Sequence, residues 1–388
     1  MKVLVMAPHP FYQERGTPIA VDLLLQALSE RGDQVDLLTF HEGADRSYSG
    51  LRIERIQPWF SIGAIKPGFS FKKILCDVHM MGRYFYYMLT RKYDVVHAVE
   101  ESSFMALMLC PLMRVPFIVD IDSSMTTQIV DKFSWLRPAE RVLSYVESLP
   151  IRFAAVVVPV CDALANDVQK YRTENIIVLK DISLVQPQED QVDSVSLRQE
   201  LGIDEDKIML MYIGNLESYQ GIDLLLKSFQ VTLNEKAGCV LVVIGGSDSD
   251  IEKYRRLSNE LGISDDVFIV GRRPVKNIGH YMSQADILVS PRIHGVNTPM
   301  KVYSYLDSGT AVLATNLPTH TQVMSNDIGV LAEPLEKEFS NGMVALVSDE
   351  RLRTELASNA KSFIEKEHSY KAFKVRVNDI YALVAPSA

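Results

Sequence analysis

Lys301 falls in the first turn of a predicted short helix, where the positive end of the helix dipole already faces, and a cation placed there asks for an anion. Thr298 reads as the N-cap and Pro299 as the first helical residue, where its missing N–H costs nothing. Dipole and ammonium together suit a phosphate. Gly295 and Asn297 punctuate the turn into this helix, and Gly309 closes it. A second candidate is the loop HPFYQERGTP, in which Gly16 precedes a helix starting at Pro18, so that backbone N–H groups can closely approach a phosphate or diphosphate.

Carboxylates form a third group. Glu100, Glu101, Asp120 and Asp122 all lie just after predicted strands, where they would make an acidic wall able to hydrogen-bond the hydroxyls of a ligand. The pair Asp120-Ile-Asp122 also imitates a two-carboxylate site for a hard divalent cation, but two acids two apart are common by chance, and no metal is expected. An N-cap at Asp122 or Ser123 is a further reading that coexists with the wall. Cys76 and His79 have CxxH spacing without a second pair, which favours a core thiol and a packed histidine.

These residues need a scaffold that brings strand ends together. Predicted strands cover Lys2 to Ala7, Gln34 to Phe40, Leu51 to Ile56, Asp94 to Val99, Phe117 to Asp122, Ala155 to Val160 and Ile176 to Leu179. Helical pattern separates them, including Phe71 to Arg91. The same grammar restarts with strands at Ile208 to Ile213, Cys239 to Ile244, Val267 to Val270, Asp286 to Val289 and Ala311 to Ala314. Continuous Val/Ile/Leu runs alternating with helices predict parallel sheets covered on both faces, hence two doubly wound α/β domains facing a central cleft. Ligands of such sheets bind beyond the carboxyl ends of the strands. The polar stretch Ser183 to Ser196 reads as the linker, placing one domain at 1–185, a second at 186–367 and a terminal helix, His368 to Val384, within 368–388.

At 388 residues the chain is long enough for two full cores. A formal net charge of −9 argues against a nucleic-acid binder. The four cysteines, Cys76, Cys110, Cys161 and Cys239, are widely spaced and read as reduced, buried thiols of a cytoplasmic protein. No apolar run reaches the length of a membrane span or a signal peptide. Residues 51 to 95 nevertheless hold eight Lys/Arg against three Asp/Glu, interleaved with Phe69, Phe71, Tyr84, Phe85, Tyr86 and Tyr87. That mixture suits peripheral contact with the inner face of the cytoplasmic membrane, as well as the ordinary alternative of one buried helix face with solvated cations opposite.

The pattern P-x-K-x-x-x-Y-x-x-S-G-x-x-V-x-A-T, carried by Pro299, Lys301, Tyr305, Ser308, Gly309, Val312, Ala314 and Thr315, resembles the donor-site signature of glycosyltransferase family 4, the retaining GT-B enzymes. ERGTPIAVDLLLQALSERGDQVDLLT, YIGNLESYQGIDLLLKSF, VVIGG and FIVGRRP lie at the matching distances, so the resemblance runs from Lys2 to about Leu383. It implies transfer of a sugar from a UDP- or GDP-sugar, used as substrate with no cofactor, to a hydroxyl acceptor, with a lipid-linked envelope glycan as the leading candidate. It also implies that Lys301 neutralises the departing diphosphate, that Asp122 orients the acceptor at the place where many relatives carry a histidine, and that Gly16, Gly214 and Asn215 lie beside the donor.

The chain departs from the family in three ways. The usual diphosphate Arg and Lys are absent near Asn215 and Gln220, leaving Arg272, Arg273, Arg292, His294 and Lys301 to compensate. Val296 and Ser304 stand where paired glutamates are usual, so Ser304 inherits the ribose contact in weaker form. Asp122 replaces the histidine. Two other classes remain open on these departures, a catalytically weak scaffold of a polysaccharide-assembly complex and a GT-B sugar-nucleotide epimerase.

Overall fold

Runs such as KVLVMA, CVLVVI and AVLAT place branched apolar side chains on both sides of a strand, which only a sheet covered on both faces can satisfy. The computed structural model describes residues 1–13, 16–58, 63, 65, 71–184, 196–274, 277–295 and 297–385. Two compact units emerge, one from Met1–Lys180 with Phe373–Ala388, the other from Asp181–Ala372. Most of the expected linker and Val296 lie outside the described residues.

In the first unit, β1 (Lys2–Ala7), β2 (Gln34–Thr39), β3 (Leu51–Arg55), β4 (Val95–Val99), β5 (Phe117–Ile121) and β6 (Val156–Pro159) form a parallel sheet in the order β3-β2-β1-β4-β5-β6. The order reverses between β1 and β4, so their carboxyl ends flank the switch-point crevice where doubly wound sheets take ligands. The predicted strand Ile176 to Leu179 is not one. Ile176 bridges Val157, and Ile177 and Leu179 donate to the Val157 and Pro159 carbonyls, but this pairing along the four-residue edge strand β6 forms no regular strand.

The second unit repeats the design with β7 (Ile208–Ile213), β8 (Cys239–Ile244), β9 (Val267–Gly271), β10 (Ile287–Ser290), β11 (Ala311–Thr315) and β12 (Val330–Ala332), ordered β12-β11-β10-β7-β8-β9. Its switch point lies between β7 and β10. Strand β12 is three residues long, too short to leave a pattern that sequence reading can detect. Both faces of this sheet carry an apolar cluster, with Leu210, Leu241 and Leu313 on one side and Met211, Val242 and Val312 on the other. Full burial of each such side chain contributes roughly 1.5–3 kcal/mol.

The last helix, Tyr370–Ala382, is shorter than His368 to Val384 and packs with the first unit from Phe373 onward. Val377, Ile380 and Tyr381 are buried, and Lys374 pairs with Glu30 at 2.9 Å.

Candidate functional site

Two clusters occupy the switch points, one basic and one acidic. In the second unit, Gly214 and Asn215 follow β7, while Arg292 and the helix Met300–Asp307 follow β10. This helix starts one residue later than its sequence suggests. Pro299 is the N-cap, held extended at φ −64° and ψ 135°, and it makes no side-chain capping bond. Thr298 therefore is not the cap. Its hydroxyl is buried and has no hydrogen-bond partner among the described residues.

Lys301 turns its ammonium toward β7, donating to Gln220 Oε1 at 2.9 Å and lying 4.0 Å from the centre of the Tyr212 ring. The Tyr212 hydroxyl donates to the Asn215 carbonyl at 2.6 Å, which fixes the turn beyond β7. Arg292 donates from Nε to the His294 carbonyl at 2.6 Å and lies 5.2 Å from the Tyr219 ring centre. Gly295, at φ +123°, sits against the Arg292 guanidinium so closely that a Cβ there would overlap it.

Neither Lys301 nor Arg292 is ion-paired with any described residue. Burial pushes the Lys301 ammonium well below its ordinary pKa, and repulsion from Arg292 adds to this. Arg292 is likewise lowered by burial. Two partly buried cations that repel each other with no carboxylate beside them make a site whose missing partner is an anion.

His320 responds to the same field, pushed down to about 3 chiefly by burial, with Lys301 and Arg292 adding repulsion. The Thr315 carbonyl 2.9 Å from Nδ1 can only accept, so the proton resides there, and Nε2 accepts from Ser290 at 2.8 Å. A neutral histidine thus ties the ends of β10 and β11 beneath the cations. Sequence reading did not single it out.

The remaining donor-side candidates are spread more widely. Arg272 donates to the Gly246 carbonyl at 3.1 Å, and Arg273 is ion-paired with Glu200. His294 and Asn215 are exposed, and the Asn297 carbonyl accepts from Thr319 at 3.0 Å. Ser304, expected at the ribose, is buried, and its hydroxyl accepts the Leu184 N–H at 3.2 Å. Ser304→Ala should cost about 1 kcal/mol in denaturant unfolding by leaving that N–H unpaired.

In the first unit, Gly16 is exposed and opens the helix Gly16–Glu30, two residues ahead of the expected start. Glu100 and Glu101 follow β4, and Asp122 follows β5. Glu100 is held in the left-handed region at φ +53°, a costly conformation for a residue with a Cβ and one that clusters at functional sites. Its N–H donates to the Asp120 carbonyl at 2.9 Å, and its carboxylate accepts from the Ser123 hydroxyl at 3.0 Å. Burial raises the Glu100 carboxyl well above its usual range, with repulsion from Asp122 and Glu101 adding to it.

Asp122 is raised to about 7 by burial and then by Asp120, against a hydrogen bond from Thr17. Glu101 pairs with Lys73 at 2.5 Å. Neither Asp122 nor Ser123 caps the next helix, Met125–Lys132. Ser124 does, accepting from Thr127 N at 3.2 Å.

Beside the acids lies a pair that the sequence barely signals. His97, fully buried on β4, is 3.2 Å from Asp120 through Nε2 and 3.0 Å from the Tyr381 hydroxyl through Nδ1. Its one early sign is an imidazole inside the apolar run VVHAV. Cys76 is a core thiol raised to about 11 by burial, and His79 Nδ1 lies 2.8 Å from the Leu75 carbonyl. All four cysteines are free and buried.

Comparison with known proteins bears on both clusters. The profile of Glycosyltransferase Family 4 matches residues 15–180, and that of Glycosyl transferases group 1 matches residues 193–363. An uncharacterised glycosyltransferase of Methanocaldococcus jannaschii is 20% identical over 303 residues, 75% of this chain and 76% of its own. The lipopolysaccharide 1,2-N-acetylglucosaminetransferase of Salmonella typhimurium is 25% identical over 185 residues, 45% of this chain and 48% of its own. The chain spans about half the length of most of the curated relatives it matches.

Among solved structures, sucrose-phosphate synthase from Thermosynechococcus elongatus superposes with a TM-score of 0.77 at 17% identity, covering 98% of both chains. Anabaena HepE in complex with UDP does so with 0.77 at 15% identity, covering 98% of this chain and 100% of that one. These likenesses show the GT-B fold, two parallel-sheet Rossmann-like α/β domains.

Proposed function

The chain belongs to glycosyltransferase family 4, and from that membership and from two neighbouring cations without a described acid partner we propose that it transfers a sugar from a nucleoside-diphosphate sugar to a hydroxyl acceptor with retention at the anomeric carbon. The observation that carries the proposal is Lys301 beside Arg292 at the β7/β10 switch point, two cations without a described acid partner. A diphosphate supplies the missing negative charge. The structure of HepE with UDP supports a uridine donor.

In the proposed reaction the bond from the anomeric carbon to the diphosphate oxygen breaks while the bond to the acceptor oxygen forms on the same face. The acceptor proton passes to the leaving phosphate. Lys301 and Arg292 stabilise the charge that develops on that phosphate, and preorganised cations are effective because they need no reorganisation as the bond breaks. Gly214 and Gly295 leave room for the nitrogens of Lys301 and Arg292, which a Cβ there would crowd, and Asn215 and His294 are exposed nearby in the chain. Glu100, Asp120 and Asp122 accept hydrogen bonds from acceptor hydroxyls, with Asp122 orienting rather than attacking. An envelope glycan is the acceptor class proposed. No metal or cofactor enters the proposed reaction.

The test is incubation with UDP- and GDP-sugars and a glycan acceptor, reading released nucleoside diphosphate and the anomeric configuration of the product by NMR. Retention is expected, and an inverted product overturns the mechanism. Gln220→Leu removes the acceptor that aims Lys301. UDP affinity, read by calorimetry, should drop about tenfold, the equivalent of one hydrogen bond.

A further inference from the structure

Three helices cover one face of the first sheet. The helix Phe71–Thr90 contributes Met80, Tyr84 and Tyr87, the helix Ser102–Met113 contributes Met105 and Cys110, and the helix Glu140–Phe153 contributes Ile151 to one core cluster with Leu4, Met6, Ala98 and Val119. Right-handed crossovers from β3 to β4, β4 to β5 and β5 to β6 require this common layer. A helix in such a layer normally turns a polar face outward.

These three do not. On Phe71–Thr90 the outward stripe is Val78, Phe85 and Leu89, spaced seven and four residues apart. The helix Ser102–Met113 carries no charged residue, yet Met108 is 61% and Leu112 80% exposed. Val142, Tyr145 and Phe153 continue the apolar surface on Glu140–Phe153, and Trp135, in the turn before it, is 74% exposed. Among the described residues, most of the large exposed apolar side chains lie in this layer.

Cations outnumber acids around the stripe. Lys72, Lys92, Arg114, Lys132, Arg137, Arg141 and Arg152 are exposed on these helices and their connections, against Asp94, Asp131 and Glu140 as exposed acids. The chain as a whole carries −9, so the local excess of cations is a property of this face. Among the described residues no helix is long and apolar enough to cross a membrane. An apolar stripe rimmed by cations fits an interface where acyl chains meet anionic headgroups.

We propose that the outer surface of these three helices is a docking face for an anionic lipid bilayer. Tyr84 and Tyr87, which the sequence pattern put in the membrane-contacting stretch, belong to the core, and the contact extends instead onto helices beyond residue 95. The proposal is independent of the transfer reaction and rests on exposure and charge alone.

Flotation of the full chain with phosphatidylglycerol/phosphatidylcholine vesicles tests it. Binding is expected at low salt, with at least a tenfold loss on pure phosphatidylcholine and a marked loss in 0.5 M salt, since surface charges are screened within about 4 Å there. The double variant Met108→Glu, Leu112→Glu should lose at least tenfold while keeping its thermal midpoint, because both side chains are already exposed. Arg137→Ala with Arg141→Ala gives a milder loss by the charge route and remains informative if the first variant does not fold. No flotation of the native chain overturns the proposal. So does a native dimer in sedimentation that Leu112→Glu dissociates, which would make a second copy the occupant.

Discussion

Lys301→Ala is expected to lower transfer by about a thousandfold without lowering the stability of the free protein. Removing one preorganised donor to a developing anion typically costs 10²–10³ in rate, and Lys301 brings a full charge. The stability side of the prediction follows from the same geometry. In the free protein Lys301 is an expense, because burial and Arg292 both disfavour its charged form. Its ammonium lies over the Tyr212 ring and its one described acceptor is the neutral amide oxygen of Gln220. Alanine loses these modest contacts and relieves the repulsion, so the thermal midpoint should stay or rise.

The sign of the pKa shift adds a second readout. A lysine whose pKa is lowered sheds its proton as pH rises, earlier than a free lysine does. A bound diphosphate restores the proton by countering Arg292. UDP binding should therefore take up protons on the alkaline side of neutrality, seen as a dependence of calorimetric enthalpy on buffer ionisation, and Lys301→Met should abolish it. A Lys301→Ala enzyme with native kcat/KM would sink the assignment of the leaving-group site.

Whether such a site is visible in a sequence depends on the distance over which its parts interact. Strands β1, β7 and β8 were legible to the residue because doubly buried strands are continuous runs of branched apolar side chains. The Lys301 helix was legible as a fold marker for a similar reason, since Pro299, Gly309 and the apolar positions between them are local signals. Its start was misplaced because a proline serves as well at the cap as inside the first turn, and only the extended ψ of Pro299 decides. The partners of the site were beyond reach. Gln220 meets Lys301 across 81 residues, and Tyr381 meets His97 across 284, and no periodicity links such pairs. The departure read at Gln220 as a lost cation is better understood as a replaced role, since the amide oxygen now holds the cation that remains. Ser304 shows the converse. Its position matched a ribose-binding residue, but the helix turns it inward to Leu184.

Asp122→Asn is expected to stabilise the protein at pH 8 while impairing transfer. The folded-state carboxyl is raised from 3.8 to about 7, so between those values the folded protein holds a proton that the unfolded chain releases. Stability is fully present below about pH 4, falls as pH rises through the window, and is lost above 7. Because Asp122 shares its burial and repulsion with Asp120 and Glu100, its own contribution is on the order of 2 kcal/mol, or about 4–8 °C in Tm. The asparagine variant escapes this cost at pH 8 and should match the native protein at pH 4, a crossover that a generic packing defect would not produce. Glu100→Gln should behave in the same direction, since burial, Asp122 and Glu101 raise its carboxyl too. Transfer should fall at least tenfold in both, chiefly through the acceptor KM, because an amide offers one acceptor oxygen where a carboxylate offers two. Acidic groups kept at such expense beside one another, with Glu100 in a left-handed backbone, make sense when acceptor hydroxyls donate into them. Loss of stability on Asp122→Asn at pH 8 would mean that Thr17 and Ser123 already satisfy the cluster, and the acceptor assignment would then have to leave the β4/β5 edge.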